Sequence, residues 1–284
     1  MKGIEKFLMD EALLRALKED VTYEDVTTAS VFKENARATV ELISKDEGIL
    51  AGLEVFRRTF LLLDPQTSFD LQKSDGDAIT KQELLGTVTG SVHVLLTAER
   101  VALNMLQRMS GVATYAHKMV TTLDDPHTKI VDTRKTTPGL RIFEKYAVTV
   151  GGASNHRYNL SDAILLKDNH IGAAGSVAKA IAMARDYASI TTPVEIEVES
   201  LELAEEAVNA GADIIMLDNM DVASIKEAVA LIGGRSKVEL SGNINLDNVA
   251  NYRGLGADFI SSGAITHSAK ILDLSMKHLK VIEL

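Results

Sequence analysis

The chain has 284 residues, 46% of them hydrophobic and 25% charged, and no cysteine. That excludes disulfides, thiolate catalysis and cysteine-ligated zinc, suits the cytoplasm, and leaves room for one large domain or two modest ones. With 30 Lys and Arg against 40 Asp and Glu the net charge is −10, which argues against a nucleic-acid partner, and no apolar stretch approaches the length of a membrane span.

The opening segment, MKGIEKFLMDEALL, lacks the apolar core of a signal peptide, and residues 9–19 have the periodicity of an amphipathic helix. Residues 36–48 alternate like a strand with one buried face, and 52–64 return to helical spacing. TSFDLQKSDGD and ELLGTVTGSVHVL then predict short strands divided by Gly-containing turns. The region up to residue 95 is therefore expected to be a small antiparallel sheet with helices on one face. A long connecting helix is expected from Thr97 to Thr122, capped at Thr97. Ala98, Val101, Leu103, Met105, Leu106 and Met109 form its apolar side, and Ser110–Gly111 is a point where it can bend.

From residue 129 the pattern changes. Short apolar runs at 129–135, 163–168, 194–200, 213–219, 237–243 and 259–265 alternate with helix-like stretches at 176–188, 201–212, 222–232 and 246–254. Repeated strand–helix units with buried strands mean a parallel sheet, and alternation inside several runs favours a barrel or partial barrel. No GxGxxG opens any unit, which weakens the doubly wound alternative. The runs all end on polar or small residues: Asp132–Arg134–Lys135, Lys167–Asp168, Glu197–Glu199, Asp218–Asn219, Ser241–Gly242 and Ser262–Gly263. The C-terminal strand ends of an α/β barrel form its active face, so this shared ending points to a site there.

Residues 132–171 hold Arg134, Lys135, Arg141, Lys145, Arg157 and Lys167, with His156 and His170, against Asp132, Glu144, Asp162 and Asp168. A cationic island in an acidic chain points to a small polyanion carrying carboxylates, phosphates or both. Within it, Arg134, Lys135, His156, Arg157 and Lys167 lie at or beside strand ends. A guanidinium grips a carboxylate or phosphate through two parallel hydrogen bonds, and a lysine supplies a compact charge. Any one of these alone reads as a solvated charge or an ion pair; the set reads as an anion site.

Glu197 and Asp218 lie in or at the end of apolar strands, where an unpaired carboxylate is costly. They can bind Mg²⁺ with waters and substrate phosphates, hydrogen-bond sugar hydroxyls, or pair with Lys167 in an interior network. Glu195 and Glu199 share the parity of Glu197, so alternation alone does not select one glutamate. Ser241–Gly242–Asn243 and Ser262–Gly263–Ala264 are small-residue turns after late strands, where backbone N–H groups can approach a phosphate. Gly151–Gly152–Ala153 is either a close approach to a ligand or a flexible turn. The seven histidines show no HExxH-like spacing, so a histidine-bound transition metal is not expected, and His93, His117, His127 and His278 read as surface or packing residues.

DTRKTTPGLR, EKYAV, GGASNHR, LKDNHI, VEIEVES, LDN, LSGNI and SSGAITHS occur in this order, preceded by TAERVALNMLQRMSGVAT and, near the start, EDVTYEDVTT. Over nearly the whole chain this resembles quinolinate phosphoribosyltransferase. The resemblance implies an N-terminal α+β sandwich, residues 1–112, followed by a C-terminal α/β barrel, residues 113–284, partial and TIM-like with about six parallel strands. A C-terminal helix over 269–284 is expected to pack back on the first domain. It also implies a homodimer and a Mg²⁺-dependent reaction: quinolinate and phosphoribosyl pyrophosphate give nicotinate mononucleotide, pyrophosphate and CO₂, a step in NAD biosynthesis. By motif, Arg134, His156 and Arg157 would bind the quinolinate carboxylates, and Lys135 and Lys167 would lie near the reacting carboxylate and pyrophosphate. Glu197 and Asp218 would face the ribose and its Mg²⁺, while Ser241, Gly242, Gly263 and Ala264 would cradle the 5′-phosphate. Arg100 would reach the quinolinate of the partner subunit. Lys135, Lys167, Glu197 and Asp218 are the expected catalytic set.

The chain departs from the family pattern at Thr149, where an arginine is usual, and at Ala153 and Asn243, where glycine is usual. Two alternatives remain open on sequence: a related phosphoribosyltransferase for another aromatic acid such as nicotinate, and a non-catalytic ligand-binding homologue. The full set Arg134, His156, Arg157 and Lys167 favours a dicarboxylate over a monocarboxylate.

Overall fold

The structure is a computed structural model, and residues 3–33 and 36–283 are described. The elements run, in chain order, α1 (Lys6–Asp20), α2 (Val26–Val31), β1 (Arg37–Ser44), β2 (Gly48–Ile49), α3 (Leu53–Leu61), β3 (Ser68–Leu71), β4 (Ala78–Ile79), β5 (Leu84–Ser91) and α4 (Val92–Leu123). After them come β6 (Lys129–Val131), α5 (Arg141–Val150), β7 (Ile164–Leu166), α6 (Asp168–Ala174), α7 (Val177–Tyr187), β8 (Val194–Val198) and α8 (Leu201–Asn209). The chain closes with β9 (Ile214–Asp218), α9 (Val222–Ile232), β10 (Lys237–Ser241), β11 (Phe259–Ser261), α10 (Ala264–His267) and β12 (Leu274–Glu283). It divides into two compact units: Met1–His117 with Thr137–Gly152 and Ala269–Leu284, and Lys118–Thr136 with Ala153–Ser268.

The first unit is built on an antiparallel sheet, order β12-β1-β5-β3. β1 alternates half-buried and buried residues along its whole length, so Ala38, Val40 and Leu42 face the core. There they join Phe56, Phe60, Leu85, Val88, Leu95, Leu103 and Leu106 in one cluster, with Phe56 and Phe60 edge to face at 5.1 Å. α4 begins at Val92, directly after β5, so Thr97 lies inside the helix rather than capping it. α4 runs unbroken through Ser110–Gly111. The two residues let other chain segments approach: Ser110 Oγ accepts from the Ala51 N–H at 3.0 Å, and a Cβ at 111 would collide with the Lys270 carbonyl.

The expected C-terminal helix over 269–284 is corrected by β12. Leu272, Leu274 and Met276 are buried at period two, and the strand pairs antiparallel with β1, Leu42 opposite Met276. A helix there would leave the outer edge of β1 without hydrogen-bond partners and spread those three side chains around its circumference.

The second unit holds a six-stranded parallel sheet, order β6-β11-β10-β9-β8-β7. β6 and β7 are its two ends, so the strands make a partial barrel. The three longer helices between the strands open on side-chain caps: Ser176 accepts from Lys179 N–H, Ser200 from Leu203 N–H and Asp221 from Ser224 N–H. α7 and α9 are bounded by left-handed glycines, Gly175 preceding the Ser176 cap and Gly233 ending α9. The helix expected over 246–254 is reduced to a 3-10 turn, Val249–Tyr252, because asparagine side chains compete for its backbone: Asn245 N–H donates to Asn248 Oδ1 at 2.9 Å and Asp247 N–H to Asn245 Oδ1 at 2.8 Å. Among the described residues no helix is long and apolar enough to cross a membrane.

Candidate active site

Alternation along the parallel strands sends Glu195 and Glu197, Met216 and Asp218, Glu239 and Ser241, and Ser261 toward the inside of the second unit. The register places Asp218 beside Ser241 and Glu197 beside Met216, so successive strands present their polar residues in level rows. At the C-terminal strand ends these rows line a cavity of about 410 Å³, with Thr133, Arg134, Lys135, His156, Arg157, Leu165, Lys167, Glu197, Met216, Asp218, Glu239, Ser241 and Ser261 in its walls. A smaller cavity of about 240 Å³ is lined by Lys135, Asp218, Ser241, Gly242, Asn243, Gly263, Ala264 and His267 among others. Thr133, Lys135, Asp218, Ser241 and Ser261 border both.

Eleven of the twelve residues singled out from sequence thus lie on one or both cavities. Arg100 does not; it is an exposed residue of α4 in the first unit. Arg141 and Lys145, counted in the cationic island, also fall outside. They belong to α5 in the first unit, where Lys145 is buried and its neighbour Glu144 is gripped by Arg108 at 2.7 and 2.9 Å. Thr149 is on the same helix, its hydroxyl donating to the Tyr146 carbonyl at 2.7 Å.

Lys167 follows β7 directly and ion-pairs with Glu197 Oε2, the pairing foreseen as one alternative for this glutamate. Asp218 Oδ2 accepts from Asn219 Nδ2 at 2.6 Å. The second oxygens of Glu197 and Asp218 have no hydrogen-bond partner among the described residues. Two such oxygens on one cavity wall fit a Mg²⁺ ion completed by water and phosphate oxygens. Glu199 is exposed and outside the cavity, so the glutamate ambiguity resolves into Glu197 at the site and Glu195 beneath it.

Gly242 and Gly263 are required sterically. Gly242 has φ +107°, and a Cβ there would lie 2.6 Å from the Asn219 nitrogen. At Gly263 a Cβ would come within 2.8 Å of Lys135 Cδ, so the glycine makes room for that lysine to lie between the cavities. Asn243 also adopts φ +52°, and its carbonyl accepts from Asn248 Nδ2 at 3.1 Å.

Burial lowers the pKa of Arg157, and the neighbouring charge of Arg134 lowers it further. Beneath it, His156 Nε2 lies 3.2 Å from Glu195 and 3.3 Å from Glu239, carboxylates only 3% and 2% exposed. Burial disfavours charge on the ring, but hydrogen bonds to both glutamates outweigh it and push the His156 pKa up to about 10. Nδ1 accepts the Arg157 backbone N–H at 2.7 Å, which leaves no place for a proton on that nitrogen. The ring proton facing the two glutamates is therefore the one on Nε2; burial, and then the like charge of Glu239, raise the Glu195 pKa. The trio has the spacing of a metal site, and an ion there would have to displace the Nε2 proton. Glu239 was missed in the sequence, although KVELS places it on the face of Ser241. Leu165 and Met216, the apolar part of the wall, were missed too; nothing distinguishes them from core residues.

Comparison with known proteins gives one answer. Residues 25–110 match the family model "Quinolinate phosphoribosyl transferase, N-terminal domain" and 112–277 the corresponding C-terminal domain. The chain is 44% identical over 258 residues to the probable nicotinate-nucleotide pyrophosphorylase [carboxylating] of Bacillus subtilis, covering 91% of this chain and 89% of that protein. The crystal structure of NadC from Streptococcus pyogenes is 53% identical and superposes with a TM-score of 0.97 over 100% of both chains. The nicotinate-nucleotide pyrophosphorylase of Francisella tularensis is 37% identical with a TM-score of 0.92, over 99% of this chain and 100% of that one.

Proposed function

This chain belongs to the quinolinate phosphoribosyltransferase family, and we propose that its second unit transfers the phosphoribosyl group of phosphoribosyl pyrophosphate to quinolinate with loss of CO₂, giving nicotinate mononucleotide and pyrophosphate on the way to NAD. The observation that carries the residue roles is the polarity of the joined cavities. Arg134, Arg157 and Lys167 stand on the side of β6 and β7, Glu197 and Asp218 on β8 and β9, and the small-residue turns at 241–243 and 262–264 line the adjoining chamber.

Arg134 and Arg157 bind the two ring carboxylates, and Leu165 and Met216 give the flat ring an apolar surface. Ser241, Gly242, Gly263 and Ala264 receive the 5′-phosphate through close backbone approach, with Lys135 at the junction neutralising pyrophosphate. When the ring nitrogen attacks the anomeric carbon and the pyrophosphate bond breaks, positive charge develops on the sugar, and Glu197 and Asp218 are the carboxylates that face it. Mg²⁺, held by Asp218 and Glu197 directly or through water, would neutralise pyrophosphate as it leaves. Loss of CO₂ leaves an electron pair on the ring carbon beside the cationic nitrogen; Lys167 lies on the wall that steadies it, and uptake of a proton at that carbon gives nicotinate mononucleotide.

The working assembly is a homodimer in which Arg100 enters the partner's site. Support comes from exposed apolar side chains, Phe7 and Val31 in the first unit and Leu160, Tyr187 and Ile190 in the second, and from the exposure of Arg100 itself. The absence of cysteine supports a reducing, cytoplasmic location.

The test is to supply Mg²⁺, phosphoribosyl pyrophosphate and carboxyl-labelled quinolinate, and to measure CO₂ and nucleotide together. Equal release of both is expected. Nucleotide from nicotinate but not from quinolinate, or binding without turnover, would overturn the proposal.

A further inference from the structure

Below the main cavity lies a second one of about 470 Å³, toward the N-terminal ends of the strands, with Val131, Ile164, Ile214 and Phe259 in its lining. His156, Arg157 and Glu239 border both chambers. His156 borders the main cavity, and its backbone N–H and both ring nitrogens engage protein partners. Its backbone N–H donates to Asp132 Oδ1 at 2.9 Å, its Nε2–H points at Glu195 and Glu239, and its Nδ1 accepts the Arg157 N–H at 2.7 Å. Asp132, fully buried, also holds Asn155 Nδ2 at 2.6 Å, and Arg157 Nη1 reaches the Ala163 carbonyl at 3.0 Å.

We propose that Glu239, acting with Glu195 through the His156 ring, is a positioning residue for Arg157 and hence for the dicarboxylate substrate. The inference rests on the reading of Arg157 as a carboxylate binder. Glu239 flanks the Nε2–H together with Glu195, and the two carboxylates fix the rotation of the ring that presents Nδ1 to the Arg157 backbone. The chamber beneath supplies the space into which the ring would swing if the anchor were removed. Two like-charged, buried carboxylates facing one imidazole are a poor stability device, since a hydrophobic side chain of similar volume commonly serves the fold as well or better. One oxygen of Glu239 is buried without a hydrogen-bond partner, a further cost to the fold. These costs are consistent with a group kept in place for geometry at the site above it.

The test compares Glu239→Leu, Glu239→Gln and Arg157→Ala in the full-length protein with Mg²⁺. Steady-state kinetics are followed for each substrate, and thermal unfolding for each protein. Glu239→Leu is expected to raise the quinolinate KM by about tenfold, with the phosphoribosyl pyrophosphate KM nearly unchanged and the melting temperature equal or higher. Glu239→Gln, whose amide oxygen still accepts the Nε2–H, is expected to recover most of the quinolinate affinity. A quinolinate KM unchanged in Glu239→Leu while Arg157→Ala raises it would overturn the positioning role alone. An unchanged quinolinate KM in Arg157→Ala would overturn both that role and its premise. A rise in both KM values with a lower melting temperature would make Glu239 a packing residue. Should Glu239→Leu fail to fold, Glu239→Gln decides through the imidazole ¹⁵N shifts of His156: a bare Nδ1 supports the relay, and a protonated Nδ1, with or without a proton on Nε2, removes it.

Discussion

Arg134 and Arg157 line one cavity closely enough that the charge of the first lowers the pKa of the second, on top of the effect of burial. Two guanidinium groups do not share a half-buried wall without cost, and an anion between them relieves both desolvation and repulsion. Arg134→Ala should therefore weaken quinolinate far more than phosphoribosyl pyrophosphate. A lost charged hydrogen bond is worth about 1.5–3 kcal/mol, or roughly 10- to 150-fold in affinity. Equilibrium titration with each substrate separately checks this, and equal losses for both would contradict the assignment.

Glu197 shares the cavity wall with Asp218 while ion-paired to Lys167. If its charge serves the cationic sugar in the transition state, Glu197→Gln should lower kcat by about 10²-fold with small changes in either KM. Single-turnover rates with both substrates saturating isolate that effect. A normal rate would leave Glu197 as no more than an anchor for Lys167.

Gly242 tests the smaller chamber. Alanine at φ +107° is strained by about 1–3 kcal/mol, and its Cβ would press on Asn219, which holds the Asp218 carboxylate. Gly242→Ala should raise the phosphoribosyl pyrophosphate KM at least as much as it lowers stability, while quinolinate binding to the free enzyme stays near normal. Calorimetry with the two ligands separates these outcomes.

Period-two patterning made the second unit legible, because a parallel strand buried on both faces can still alternate between barrel interior and helix layer. Glu197, Asp218 and Ser241 were visible for that reason, and Glu239 would have been had KVELS been read as strictly as VEIEVES. Charge alone was a poorer guide. Arg134 and Lys145 look alike in the sequence, yet one faces the cavity and the other is buried in the first unit, because the chain leaves the second unit between Thr137 and Gly152. No local signal marks such an excursion. The last strand was misread as helix because its lysines and histidine obscure the buried Leu272, Leu274 and Met276, whose spacing only a neighbouring β1 makes decisive.

In the first unit, Arg58 binds Asp10 in a two-pronged contact, Nε to Oδ1 at 2.6 Å and Nη2 to Oδ2 at 2.8 Å. The hydrogen bond from Arg58 holds the Asp10 pKa below its ordinary 3.8, against a smaller effect of burial. A depressed acid stabilises the fold above its unfolded pKa and loses that contribution as pH falls through its folded value. Asp10→Asn should thus cost about 1 kcal/mol at neutral pH, a modest figure because both side chains reach solvent. The gap between wild type and variant in urea unfolding should close below the ordinary carboxyl pKa, and a gap constant from pH 7 to acid would show that the charge is not its source.

Arg100 offers the sharpest test of shared sites, because it is exposed on α4 and lines neither cavity of the second unit. If it completes the partner's quinolinate site, Arg100→Ala and Lys135→Ala homodimers should both be nearly inactive. Each carries its defect in every site. A mixed dimer distributes the defects unevenly: one site receives both, and the other receives a native Arg100 and a native Lys135. Unfolding and refolding the two variants together should therefore restore about one native site in each mixed dimer, up to roughly a quarter of wild-type activity per subunit for random pairing. Native mass spectrometry would establish that mixed dimers form, and no recovery in their presence would place Arg100 outside the site.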